Sequence, residues 1–226
     1  MLNDYKLLVA DLVRDDASRL LETEIERSIA AAVLRYSKDR PREKVEDVTP
    51  TGANTLPLPA SWETDFSELR SLEYPKGDNP PTFIAQDRYG FYRSTTALVI
   101  ALLDAVAVAT DNVRATYSIA HVLTEAADTI PLADREAAAC WAAASLCDQL
   151  AAFYSGGTDS TIQADSVRQQ SKSQEYAARG KSLRKRYTDE LGIDDKRNVA
   201  AGTVVNLRDE SSLGESRLTH PMQRYN

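Results

Sequence analysis

The sequence predicts a mixed α+β protein: mainly a helical bundle, with a small antiparallel β insertion between the N-terminal and C-terminal helices and an extended C-terminal tail. Three observations carry this. Apolar residues recur at helical spacing before residue 40 and again after residue 134. From Arg42 to about Ala120 the period falls from 3.6 to 2, the mark of a half-buried strand. Beyond Leu191 the chain is polar, with single apolars such as Val204, Val205 and Leu207, too few to fold without a partner. The expected organisation is a helical core from 1–40 and 122–192, a β-rich insertion over 41–121, and a tail over 193–226.

Residues 3–38 read as helix in two pieces. Leu7, Leu8, Leu12 and Val13 form the first stripe, and Leu21, Ile25, Ile29, Ala32, Val33 and Tyr36 the second. Asp15, Asp16 and Ser18 between them suit a turn and an N-cap. Pro41 stops the second helix, because proline disfavours α geometry in the residue before it. Val45 and Val48 open the β pattern. The prolines of Asn54–Pro59 exclude a central strand there. Alternation then runs from Leu69 to Tyr74, ahead of the turn cluster PKGDNPP at 75–81. Further strands are expected at Arg88–Arg93, Ser94–Leu103 and Asn112–Ala120, in one sheet of four to six strands. Ala97–Ala109, rich in alanine and leucine, also suits a helix. In the last strand Val113, Ala115, Tyr117 and Ile119 take one face. After His121, Pro131 or Asp134 starts an Ala-rich helix that is apolar nearly all round and must be buried on most sides. Ser155-Gly156-Gly157 ends it, with glycines suited to a left-handed cap. A last helix runs from Ser160 or Asp165 to about Tyr187, with few large apolars (Ile162, Val167, Leu183) and many cations.

The 226 residues carry a formal net charge of −7 and are 42% hydrophobic. No run approaches the 18 or so apolar residues a membrane span needs, and Asp104 interrupts the longest candidate. The acids in MLNDYKLLVADLVRDD stand where a signal peptide needs a basic start. Two cysteines, Cys140 and Cys147, make neither a disulfide framework nor a four-ligand metal set; seven residues apart, they share one helical face as a buried thiol pair. The acidic balance argues against a protein that coats nucleic acid with its whole surface.

Motifs for chemistry are thin. SGGTDS at Ser155–Ser160 matches the phosphate loop of ATP pyrophosphatases, but that loop follows an apolar strand, and here a helix precedes it. A helix-to-helix turn capped by Gly, Asp and Ser explains it better. His121 and His220 stand alone, and no serine or cysteine has a nucleophile's setting. No catalytic residue, metal site or cofactor is expected.

Charge placement says more. Residues 41–134 hold 14 acids against seven bases, equal to the net charge of the whole chain. Residues 167–187 hold seven bases (Arg168, Lys172, Arg179, Lys181, Arg184, Lys185 and Arg186) against Glu175 alone. Such an asymmetry suits head-to-tail assembly, in which opposite charges select neighbours. A DNA-binding helix is a further option, but no aromatic residues interleave with these cations along the helix.

Taken in order, these segments resemble the head-to-tail adaptor (connector) proteins of tailed bacteriophages, over about Asn3 to Gly192. The stretches are RYSKDRPRE (35–43), DVTPTGANTLPLPASWETDFSELRSLEYPKGDNPP (47–81), ATYSIAH (115–121), ADTIPLADREAAACWAAASLCDQLAAFYSGGTDSTIQADSV (127–167) and SKSQEYAARGKSLRKRY (171–187). The resemblance implies a virion protein that forms a ring, commonly of twelve copies, beneath the portal. Such a ring holds a channel for the genome, which passes without sequence-specific binding, and presents a surface to the next neck or tail-completion protein. It implies no enzyme activity, no cofactor and no membrane partner. By position, the portal or a neighbouring subunit meets the last helix, at Arg168, Lys172, Arg179, Lys181, Arg184, Lys185, Arg186 and Tyr187, together with the tail. The 34 residues after Gly192 exceed what the resemblance requires. A stopper or tail terminator is the nearest alternative, and an ATP-pyrophosphatase-like enzyme a remote one.

Overall fold

The computed structural model describes residues 1–15, 18–50, 54–93, 97–103, 112–156 and 163–193, with the backbone alone for 163–171. The expectations made for Asp16, Asp104, Gly157–Ser160, Ile162, the side chains of Val167 and Arg168, and the tail beyond Ile193 lie outside these residues. Within them the fold is mixed α+β, with four helices and six strands: α1 (Leu2–Val13), α2 (Glu22–Asp39), β1 (Arg42–Val48), β2 (Thr55–Pro57), β3 (Leu69–Glu73), β4 (Tyr89–Arg93), β5 (Leu98–Leu102), β6 (Val113–Ile119), α3 (Arg135–Gly156) and α4 (Gln163–Leu191). The chain divides into two compact units. One is helical, built from Met1–Lys44, Glu63–Glu68 and the described residues from Ser118 to Ile193; the other is β-rich, built from described residues of Val45–Trp62 and Leu69–Tyr117.

In the helical unit α3 is the central element and packs against α1, α2 and α4. Eleven of its residues are buried, from Ala137 to Ala151, including both free cysteines. Alanine makes this possible, since a helix with small side chains all round lets three neighbours approach closely. The approach of α4 is closest at Gly180. A Cβ there would stand 2.9 Å from Asp148 Oδ1 and 3.2 Å from the Ala144 carbonyl oxygen. The Ser28 hydroxyl donates to the Ala142 carbonyl at 2.9 Å, fixing α2 on α3 with a satisfied buried polar group.

Several local expectations are corrected. The buried stripe of α1 is Tyr5, Val9 and Val13, whereas Leu7 is 60% exposed and Leu8 also faces outward. Residue 7 lies about 200° round the helix from residue 5, and burying the larger tyrosine selects its face. The cap of α2 is Leu21 rather than Asp15, Asp16 or Ser18: Leu21 is extended, and its N–H donates to the Glu24 carboxylate at 2.9 Å. Asp15 instead accepts the backbone N–H groups of Arg19 and Leu20, and Ser18 sits at φ 49°, inside the connecting turn. Gly156 is the last residue of α3 and has no positive φ. The left-handed helix-end glycine is Gly192 at φ 63°, five residues past the expected end of α4 at about Tyr187. There Gly192 N–H donates to the Asp189 carbonyl and Ile193 N–H to that of Thr188, the paired bonds of a Schellman cap.

The β-rich unit has two three-stranded sheets, ordered β1-β6-β3 and β2-β5-β4, in place of the single sheet expected. Alternation reports which face of a strand is buried and says nothing of which strand lies beside it. Leu98–Leu102 is strand, not helix, and pairs antiparallel with both β4 and β2. β2, with Pro57, is short and at an edge, as its prolines require. β6 is central and antiparallel to β3; Val113, Ala115 and Tyr117 are fully buried along it. The Tyr117 ring lies 5.6 Å from that of Trp62, and its hydroxyl donates to Glu46 at 2.6 Å. Burial, with that carboxylate, pushes the phenol up to about 12. On the outer face of β1-β6-β3, Lys76 and Arg114 both pair with Asp47, at 2.7 and 3.1 Å.

Candidate assembly surface on the last helix

Among the described residues, Leu183, Tyr187 and Leu191 are the buried large side chains of α4, each four residues apart, with Gly180 in line three residues before Leu183. This stripe holds the helix on α3, while Lys181, Arg184, Lys185 and Arg186 occupy exposed positions between its members. Tyr187 belongs to the stripe and is fully buried. Its ring lies 4.9 Å from Trp141, and its hydroxyl donates to Asp39 at 2.5 Å. Burial, reinforced by this carboxylate, holds its ionisation well above the ordinary tyrosine range. Arg35 completes the group, pairing with Asp39 at 2.8 Å while its guanidinium lies 5.0 Å from the centre of the Trp141 ring.

The cations divide into two sets. Arg184 pairs with Asp148, and Arg186 with Glu136 and Glu190. Arg179 donates to the Val13 carbonyl at 2.7 Å, which satisfies the C-terminal end of α1, and reaches Glu175 at 3.2 Å. These arginines join the last helix to its neighbours. Lys181 and Lys185, four residues apart, are exposed and have no carboxylate within ion-pair distance among the described residues. Lys172 is exposed as well, its ammonium 5.3 Å from the centre of the Tyr154 ring. The excess of six positive charges in this stretch, seven bases against Glu175, is therefore partly neutralised by α3. Glu136 and Asp148 are distant in sequence, so charges summed along one helix could not include them.

Structure also brings together what sequence reasoning missed. The rings of Phe153, Tyr154 and Tyr176 follow one another at centroid spacings of 5.4 and 5.7 Å, the last pair parallel within 3°. Arg19 lies over the Phe153 ring at 5.5 Å and Arg179 over Tyr176 at 5.6 Å. Aromatic residues thus do interleave with the cations; two of the three come from α3, out of sight along α4. Adjacent Phe153 and Tyr154 near the end of an Ala-rich helix were the available signal.

The other candidates are placed plainly. Burial pushes the Cys140 and Cys147 thiols up to about 11, the opposite of a metal-binding or nucleophilic thiol. His121 packs on Tyr36 with ring centroids 5.0 Å apart, its ring nitrogens facing the carbonyls of Thr129 and Arg40 at 2.9 and 3.0 Å. The first two residues of SGGTDS, Ser155 and Gly156, are the end of a 22-residue helix, not the exit of a strand. Among the described residues no three His, Cys, Asp or Glu side chains gather as metal ligands, and no helix is long and apolar enough to cross a membrane.

The chain matches no model of a known protein family and no curated protein sequence.

Proposed function

We propose that this chain is a structural virion protein, a head-to-tail adaptor that assembles as a ring, of twelve copies in the family it resembles, between the portal and the neck or tail-completion proteins of a tailed bacteriophage. The genome passes through the ring without sequence-specific contact. The observation that carries the reading is the ordered set of resembling segments from Arg35 to Tyr187, read with their spacing in the fold. In this reading the helices are the adaptor core, the two sheets an insertion, and residues 193–226 a tail that orders on its partner. The acidic balance suits a channel that does not hold passing duplex. The exposed cations of α4, with Lys181 and Lys185 foremost, supply the complementary charge for the portal or the next subunit. Virion localisation, at the neck, and the absence of enzymatic activity belong to the same proposal.

Co-sedimentation with portal protein tests it. The full chain is expected to bind portal in a salt-sensitive manner, and a chain ending at Gly192 to bind less. Failure of the full chain to bind portal at low salt would overturn the reading.

A further inference from the structure

The aromatic ladder at Phe153, Tyr154 and Tyr176 leaves one ring without a structural task. Tyr154 and Tyr176 are half-buried and close α3 against α4. Phe153 is 56% exposed, so its burial adds little to the core. Beside it stand cations that the fold does not neutralise: Arg19 over the ring and Lys172 over Tyr154, neither with a carboxylate in ion-pair distance among the described residues. Arg14 is also exposed and likewise unpaired, at the turn whose carbonyl faces the Tyr176 hydroxyl at 3.5 Å. Arg179 is different, because Glu175 accompanies it.

An open aromatic face flanked by uncompensated cations has a specific complement, a polyanion that also carries planar faces. We infer that this patch binds single-stranded nucleic acid, with Arg14, Arg19 and Lys172 on phosphates and a base stacked on Phe153. Duplex DNA would meet the charge but offers no free base face to the ring. An acidic peptide would meet the charge and leave Phe153 idle. The inference stands apart from ring assembly, since a monomer presents the patch equally well.

The test uses the full chain and fluorescein-labelled oligo(dT) of about 16 nucleotides, read by anisotropy across about 50–200 mM salt. Expected are binding with a log–log salt slope of about −2, as three neutralised single-strand phosphates give, and a loss of about tenfold in Phe153→Ala, the size of one base–aromatic stack. Phe153→Leu keeps the bulk without the π face and should lose nearly as much while melting like the parent. Arg19→Gln with Lys172→Gln should flatten the slope. Absence of oligo(dT) binding at the lowest salt overturns the inference. So does binding that both Phe153 variants retain, or that poly-glutamate displaces as well as unlabelled oligo(dT), since either marks a purely electrostatic surface for an acidic protein segment. Oligomeric state recorded on the same samples keeps the two proposals separate: rings that do not bind oligo(dT) overturn this one alone.

Discussion

Tyr187 of the last helix donates its hydroxyl to Asp39 at the end of the second helix, at 2.5 Å, and Arg35 donates to the same carboxylate oxygen at 2.8 Å. Tyr187 thereby ties α4 to α2, and Arg35, one turn before Asp39 on α2, holds the acceptor in place. Tyr187→Phe removes one donor and leaves Asp39 still paired. Urea denaturation should show a loss of about 1.5–3 kcal/mol, the range for a hydrogen bond to a charged group. Paired with Asp39→Ala in a double-mutant cycle, it should give a clear coupling energy; simple additivity would deny the link.

Gly180 marks the closest approach of α4 to α3. Any side chain there meets Asp148 and the Ala144 carbonyl, and the carbonyl belongs to helix backbone that yields little. Gly180→Val should destabilise by about 1–3 kcal/mol through overpacking, against the gain glycine replacement brings at an open helical site. A melting temperature equal to the parent's would show that the helices separate easily at this point.

The two buried thiols should be silent in the folded chain. Their ionisation is raised from 9.0 to about 11 by burial, so the folded state holds protons that the unfolded state releases. Stability from these groups is complete below pH 9 and falls as pH rises towards 11. Ellman's reagent at pH 8 should find both thiols unreactive until denaturant is added. Rapid labelling of the native chain would contradict their placement.

Asp47 gives the opposite pH dependence. The Lys76 ammonium, and after it Arg114, holds its carboxyl below the ordinary value. Its contribution is present above about pH 4 and is lost as pH falls through the lowered folded value. Lys76→Met should cost under about 1 kcal/mol at neutral pH, because both partners are solvent-screened, and progressively less in acid. A cost that does not change with pH would mean that the lysine acts through packing.

Periodicity made most of the elements legible, and the scarcity of polar residues in Ala137–Ala151 marked α3 as a helix buried on most sides. Three features were hidden for one reason, that each depends on residues far apart in the chain. The division into two sheets follows from β2 pairing with β5. The neutralisation of Arg184 and Arg186 follows from Asp148 and Glu136. The aromatic ladder joins α3 to α4. The phase of α1 failed on a local matter, the choice between Tyr5 and two leucines of similar hydrophobic weight. For the candidate surface, the charge along α4 was visible, but which cations stay exposed was not.

Under the proposed function, copies of this chain assemble as a closed ring. Native mass spectrometry of the purified full chain, alone and mixed with portal protein, measures that directly. One discrete high-order species is expected, near twelve copies as the family resemblance implies, either alone or once portal is present. Lys181→Glu with Lys185→Glu should shift this species towards monomer while leaving the melting temperature unchanged. A chain that stays monomeric in both conditions, at low salt, would contradict it.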